Sequence, residues 1–104
     1  GMHRLGFEEK DLSAIKSFLL DNDTVKIKTV FSHLAASEAP QHDDYTKSQI
    51  QKFDSFCKNL EAEIGYTFIK HICNTSAIRR WPKAQFDMVR LGIGLYGVDA
   101  NRFY

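Results

Sequence analysis

The sequence predicts an α/β fold built on a parallel sheet, and two observations lead to this prediction. Segments with strand-like apolar patterns alternate along the chain with segments of helical periodicity, and the connections between them are short. With 104 residues, the chain is long enough for one small domain. Three strands are too few to close a barrel, so the sheet is either a small open one or part of a larger one.

Two helices are predicted from apolar residues that recur every three or four positions. The first covers about 8–20 and has acidic residues in its first turns, where the helix dipole favours negative charge. In the second, Thr46 and Gln49 have the spacing of a capping box, and Gly65 stands where a helix C-cap favours glycine. The apolar stripe of this second helix consists of Ile50, Phe53, Cys57, Leu60 and Ile64. Four phenylalanines are expected in the core, namely Phe18, Phe31, Phe53 and Phe56.

Three strands are predicted, over about 25–32, 67–73 and 86–91. The first alternates β-branched residues with lysines, and the third has the apolar character of a buried strand in a parallel sheet. A polar cluster stands at the end of each strand: Ser32-His33, Asn74-Thr75-Ser76, and Arg90 with Gly92. Ligands of parallel α/β folds bind at the carboxyl ends of strands, so these clusters are candidate site residues. The alternative, that polar residues only mark where strands stop, remains open on pattern alone.

Composition and motifs argue against several other functions. The 14 basic and 13 acidic side chains leave a net charge of +1, which gives no electrostatic reason to expect nucleic acid or an anionic membrane as a partner. No apolar run approaches the roughly 20 residues that span a bilayer. The histidines and cysteines lack the paired spacing of a zinc site, and Cys57 and Cys73 are interpreted as free thiols of a cytoplasmic protein. No P-loop, dinucleotide fingerprint or nucleophile elbow occurs.

Four segments, taken in order, resemble motifs of the alanine racemase family. Residues 1–7 resemble G-M-x-R-x-G-[FV], and residues 31–38 resemble [FY]-[ST]-H-[FL]-A-x-[AS]-[DE]. Residues 71–82 resemble H-x-x-N-S-A-x…R-[FY]-P, and residues 86–97 contain a match to M-V-R-x-G-[IL]-x-x-Y-G. No one of these motifs is specific by itself, but together they cover the chain from end to end. The chain therefore resembles an internal piece of this family's N-terminal barrel domain.

The resemblance implies a fold and an activity. Residues 1–104 would be a fragment of a (β/α)8 barrel that binds pyridoxal 5'-phosphate, starting just after its fifth strand and containing roughly strands 6–8. The parent protein would be a cytoplasmic, homodimeric isomerase that interconverts L- and D-alanine for peptidoglycan precursor synthesis. A racemase of another amino acid is an alternative, and so is a non-catalytic binding or self-association module.

The resemblance also implies roles for seven residues around the cofactor. Arg90 matches the arginine that donates to the pyridine nitrogen; since arginine does not give up its proton, that nitrogen would stay unprotonated and the cofactor would be a weaker electron sink. The other matches are Arg4 near the phenolic oxygen, His33 beside the ring, Asn74 lining the site, and Thr75 with the backbone amides of Gly92 and Ile93 around the phosphate. The family usually has serine where this chain has Thr75, and the hydroxyl is retained.

Two residues that the family's chemistry needs have no match in this chain. These are the Schiff-base lysine and the tyrosine base that the partner subunit contributes. Because racemisation needs a base on each face of the α-carbon, we expect the 104 residues alone to be inactive. Without the lysine, non-covalent contacts are the only ones through which these residues could hold the cofactor, and binding by the fragment alone is not expected. The unpaired edges of a partial sheet also predict that the isolated chain self-associates.

Overall fold

The computed structural model describes residues 5–98. Its sheet has two parallel strands, β1 (Thr29–Phe31) and β2 (Ile69–His71), with Thr29 opposite Ile69 and Phe31 opposite His71. Its α-helices are α1 (Leu12–Asp21), α2 (Asp43–Ile64) and α3 (Thr75–Arg80). Short 3-10 turns lie at Glu9–Asp11, Pro40–His42, Pro82–Ala84 and Ile93–Tyr96. The parallel α/β arrangement predicted from the sequence is therefore confirmed.

The first predicted helix is confirmed as the 3-10 turn Glu9–Asp11 continued by α1. The carboxylate of Asp11 accepts a hydrogen bond from the backbone amide of Glu8 at 2.7 Å, which satisfies one of the free amides where the helix begins. Its far end is closed by Asn22, whose side chain donates to the carbonyl of Phe18 at 2.8 Å. None of the residues of α1 is fully buried, so this helix lies at the outside of the fold.

The capping box predicted at Thr46 and Gln49 is wrong. The long helix α2 begins at Asp43, directly after the turn Pro40–His42, so both residues lie inside it and both are buried. The proline-led turn starts the helix one turn earlier, and the two side chains face the protein interior instead of the helix end. The predicted C-cap is confirmed, because Gly65 has φ of 81° and its amide donates to Glu61.

The core lies between α2 and the sheet. Phe53, Cys57 and Leu60 of the predicted stripe are buried, and they pack with Leu34, Phe68, Ile72, Cys73, Ala77 and Ala84. Phe56 packs against this cluster, as predicted. The prediction is wrong for Phe18 and Phe31, which are 54% and 62% exposed. In β1 the side chains alternate between the two faces, and Val30 packs on the core whereas Phe31 points to the opposite face of the sheet.

The third predicted strand, 86–91, is not a regular strand. It runs beside β2 with one parallel bridge, between Met88 and His71, and two further backbone hydrogen bonds, from Asp87 to Lys70 and from Arg90 to Cys73. Phe86 has φ of 46°, outside the range of extended backbone, which interrupts the segment where the strand was expected to begin.

The first two strands are also shorter than predicted, because other contacts replace strand pairing at their ends. The amide of Ile27 donates to the hydroxyl of Tyr66 at 2.9 Å, so a side chain takes the place of a strand partner before β1. After β2, the chain turns into α3, a helix that the sequence patterns did not indicate. No helix among residues 5–98 combines the length and the apolar composition that crossing a membrane requires.

Candidate functional site

The segments 32–35, 72–75 and 90–94 follow β1, β2 and the Met88 bridge, and we call them the strand-end rim. The guanidinium of Arg90 joins two of these segments to the third. Its Nη2 donates to the carbonyl of Ser32 at 2.6 Å and to that of Ile72 at 3.2 Å. The ring of Phe31 supports the guanidinium, with 5.1 Å between Cζ and the ring centre. A charged residue in an apolar segment requires a hydrogen-bonding partner, and Arg90 finds it in two carbonyls at strand ends.

The charge of Arg90 is only partly engaged by these bonds. Both hydrogen bonds use Nη2, and within residues 5–98 the Nε and Nη1 groups donate to no protein atom. Burial lowers the pKa of the guanidinium from its ordinary value, but that value is so high that Arg90 stays a cation. The residue therefore offers a fixed positive charge and free N–H donors to a ligand at the rim.

His71 lies beside Arg90 and was not predicted as a site residue. Its ring is buried and stacks on Phe31, with 5.2 Å between ring centres and 10° between ring planes. Burial lowers the pKa of this imidazole, and the charge of Arg90 lowers it further, so His71 is neutral at pH 7. The sequence signal that could have indicated His71 is its place three residues before Asn74, at the end of the strand that leads into the Asn74-Thr75 cluster.

Thr75 receives hydrogen bonds from the loop that follows Arg90. Its Oγ1 accepts from the amide of Gly92 at 3.0 Å and from that of Gly94 at 3.1 Å. A Cβ on Gly94 would lie 2.7 Å from Cγ2 of Thr75, so only glycine fits at this close approach. Sequence analysis assigned the amides of Gly92 and Ile93 and missed Gly94; the Gly-x-Gly spacing after Arg90 was the available signal.

Asn74 lies on the rim, but its side chain serves the local structure. Its Oδ1 accepts from the amide of Ala77 at 3.1 Å, which caps α3, and from the hydroxyl of Ser37 at 2.8 Å. Its Nδ2 donates to the carbonyl of Leu34 at 3.4 Å. Asn74 thus ties the loop after β1 to the start of α3.

His33 follows Ser32 directly and so lies beside the Arg90 contact. Its carbonyl accepts a hydrogen bond from Nε2 of Gln49 at 3.4 Å. The structure places six of the seven predicted site residues on the same rim: His33, Asn74, Thr75, Arg90, Gly92 and Ile93. Arg4 lies outside the described residues.

Neither thiol of the chain belongs to this site. Cys57 and Cys73 are free, as predicted, and both are fully buried. Burial raises the pKa of each thiol to about 11, and Cys73 donates to the carbonyl of Ala84 at 3.2 Å. Both therefore remain protonated at neutral pH and act as core residues. Within 5–98, no three histidine, cysteine or carboxylate side chains are grouped to hold a metal ion.

The rim combines a fixed cation at one end with a hydroxyl at the other, and two backbone amides of the following loop donate to the oxygen of that hydroxyl. The cation and the hydroxyl proton suit a ligand that has an acceptor atom on one side and an anionic group on the other.

Comparison with known proteins agrees with the resemblance in the sequence. The family model described as alanine racemase, N-terminal domain, matches residues 1–100. Alanine racemase 1 of Oceanobacillus iheyensis is 34% identical over 99 residues, which are 94% of this chain and 26% of that protein. The chain thus spans about a quarter of the length of the curated relatives it matches.

Solved structures show the same relationship. The alanine racemase of Bartonella henselae, with covalently bound pyridoxal phosphate, superposes with a TM-score of 0.72 at 32% identity, over 97% of this chain and 26% of that one. The alanine racemase of Streptomyces lavendulae, which produces D-cycloserine, gives a TM-score of 0.83 at 29% identity, over 95% of this chain and 26% of that one. The chain belongs to the alanine racemase N-terminal domain family, and its parallel α/β fold is a part of that domain's barrel.

Proposed function

We propose that residues 1–104 are part of the cofactor-binding barrel of a cytoplasmic, homodimeric alanine racemase, an isomerase that interconverts L- and D-alanine for peptidoglycan precursors. The observation that carries this proposal is the placement of Arg90. It is anchored by Nη2 on two strand-end carbonyls, with its other N–H groups left for a ligand. Support also comes from relatives that are alanine racemases, one of which holds pyridoxal phosphate covalently.

The donors on the rim fit pyridoxal phosphate. In this proposal Thr75 and the amides of Gly92 and Ile93 surround the phosphate. The amides of Gly92 and Gly94 donate to Oγ1 of Thr75, which orients the loop and leaves the hydroxyl proton of Thr75 and the amide of Ile93 as the donors to phosphate oxygens. The loop approaches Thr75 so closely that a Cβ on Gly94 would fill the space. Arg90 would donate to the ring nitrogen at the other end of the site. In this proposal His33 lies beside the ring, Asn74 holds the loop that carries it, and Arg4 approaches the phenolic oxygen.

The chain's own residues determine the protonation state at the ring nitrogen. Bound pyridoxal phosphate supplies an electron sink for the α-carbon of the amino acid. Arg90 would donate a hydrogen bond there and keep its proton, because an arginine side chain does not give up its proton in proteins. His71 is buried beside Arg90 and is neutral, so it carries no extra proton that it could pass towards the ring nitrogen. An unprotonated ring nitrogen would make the cofactor a weaker electron sink, which suits a reaction that only inverts the configuration of the α-carbon.

Catalysis needs groups that this chain does not supply. Neither the Schiff-base lysine nor the tyrosine base of the family corresponds to a residue among these 104. We therefore expect the isolated chain not to racemise alanine, and any pyridoxal phosphate that it binds to be held without a covalent bond. In the parent protein the substrate is a small amino acid, and the second subunit contributes to the site.

The test is proton exchange at the α-carbon in the protein that contains this chain. The protein, loaded with pyridoxal phosphate, is incubated with L-alanine in deuterated buffer, and the α-proton signal is followed by NMR together with D-alanine formation. We expect both loss of the α-proton and appearance of D-alanine. Exchange with L-serine or L-glutamate but not L-alanine would indicate a racemase of another amino acid, and no exchange with any of them would refute the assignment.

We also propose that the isolated chain self-associates through the loop after Arg90. Apolar side chains are exposed along this loop, namely Leu91, Ile93, Leu95, Tyr96 and Val98. A second copy that covers the loop would remove these side chains from water. In sedimentation equilibrium at about 100 µM, the wild-type chain should have an average mass above the 11.9 kDa of the monomer, and Leu95→Glu should lower this mass. A wild-type chain that is monomeric at this concentration would contradict the proposal.

A further inference from the structure

Beyond the amide of Ser32, which donates to the carbonyl of His71 at 3.4 Å, the loop after β1 is held by side chains. Three consecutive carbonyls each accept from a different element: Ser32 from Arg90 at 2.6 Å, His33 from Gln49 at 3.4 Å, and Leu34 from Asn74 at 3.4 Å. Two of these donors, Arg90 and Asn74, lie on the rim. The third comes from the middle of α2.

Gln49 differs from the other two donors because it grips the loop at two points. Besides donating from Nε2 to the carbonyl of His33, it accepts at Oε1 from the amide of Ala35 at 3.1 Å. A primary amide is the side-chain group that can donate and accept at once with this reach. The residue is 8% exposed, so water does not easily replace either bond when it is lost.

The two contacts flank Leu34, whose side chain is buried in the core at 1% exposure. With Leu34 held in the core and the peptides on both sides held by Gln49, the backbone at His33 has little freedom to rotate. Ser32, on the other side of His33, is held by Arg90. The direction in which the imidazole leaves the backbone is therefore set from α2 and from the guanidinium together.

We propose that Gln49 is a positioning residue that sets the orientation of His33 on the strand-end rim. The ligand that His33 meets rests on the proposed function, whereas the restraint itself does not. Gln49 touches no ligand in this proposal, because it lies in α2 on the core side of the loop. It acts through the backbone of His33 and Ala35.

The two contacts can be separated with matched variants of the full chain. Gln49→Glu keeps an acceptor for the Ala35 amide but removes the donor to His33, and Gln49→Leu removes both. Gln51→Glu, an exposed position on the same helix, controls for the added charge. Amide hydrogen exchange of Ala35 and the imidazole signals of His33 are read by NMR in all variants.

We expect exchange at Ala35 to rise about tenfold or more in Gln49→Leu and to stay within about threefold in Gln49→Glu, because only the first loses the acceptor. The His33 imidazole signals should shift in both variants and not in Gln51→Glu. Unchanged His33 signals in Gln49→Glu would overturn the proposal, and this variant decides the matter if Gln49→Leu does not fold.

Titration with pyridoxal phosphate, followed by ³¹P NMR, gives the second readout. If the wild-type chain binds, Gln49→Glu should weaken binding about threefold or more while Gln51→Glu does not, since an orientation change at one contacting side chain costs part of its interaction. A wild-type chain that does not bind counts against the cofactor assignment alone, because the exchange and imidazole data still decide the role of Gln49.

Discussion

Replacing Gly94 with alanine tests whether the loop after Arg90 is packed on Thr75 as tightly as the structure indicates. The new Cβ would lie 2.7 Å from Cγ2 of Thr75 and 2.9 Å from Cδ1 of Leu91. The leucine can move aside, but the threonine methyl is held by the two hydrogen bonds to its hydroxyl. Overpacking and one weakened hydrogen bond should together lower the free energy of unfolding by about 1.5–2 kcal/mol.

The assay is urea unfolding followed by the fluorescence of Trp81, the single tryptophan of the chain. With a urea m value of roughly 1.5 kcal/mol/M for a domain of this size, the midpoint should fall by about 1 M. Thr75→Ser removes the methyl group but keeps the hydroxyl, and alone it should cost less than about 1 kcal/mol.

The double variant distinguishes the steric explanation from others. If the Cβ of alanine meets the Thr75 methyl, Thr75→Ser should relieve the contact, and the double variant should be more stable than the sum of the single effects by about 1 kcal/mol. Effects that add within about 0.5 kcal/mol would refute the reasoning, because residues that do not touch behave additively.

Three further predictions concern titratable groups. Burial and the charge of Arg90 lower the pKa of His71 in the folded state, so the unfolded chain binds the extra proton more readily. The free energy of unfolding should therefore decline as pH falls below about 6.5, and His71→Gln should flatten this dependence in urea melts from pH 5 to 8. With pKa values near 11, the thiols of Cys57 and Cys73 should not react with a thiol reagent at pH 8 until the chain is unfolded in guanidinium; rapid reaction of the native chain would contradict their burial. Asp43→Asn should cost about 0.5–1 kcal/mol at low salt, since it weakens a partly buried ion pair with Arg80, and less at high salt; an equal cost in 1 M NaCl, where screening is about complete, would exclude an electrostatic origin.

The rim is held together by contacts between segments that are distant in the sequence. Arg90 collects the carbonyls that end two neighbouring segments, and Thr75 collects two amides from the loop that follows Arg90. Since these groups are bonded to one another, the relative positions of Arg90 and Thr75 are fixed by the folded chain itself.

Local patterns in the sequence determined several parts of the fold. The apolar stripe of α2 predicted that Phe53, Cys57 and Leu60 are buried, because a helix keeps residues three and four apart on one face. Gly65 predicted the end of the same helix, because a left-handed C-cap favours glycine. The ordered motifs likewise pointed to the family, since they place polar groups at fixed offsets from strand ends.

Other features were decided only when distant segments packed together. The partner of Arg90 is Ser32, 58 residues earlier, and Gln49 reaches back 16 residues to His33, so no local spacing could reveal either contact. The same holds for Phe31, whose face depends on which side of β1 the helices cover, and for 86–91, where the backbone of Phe86 departs from a strand. Periodicity states which residues share a face, but only the packed chain determines what that face meets.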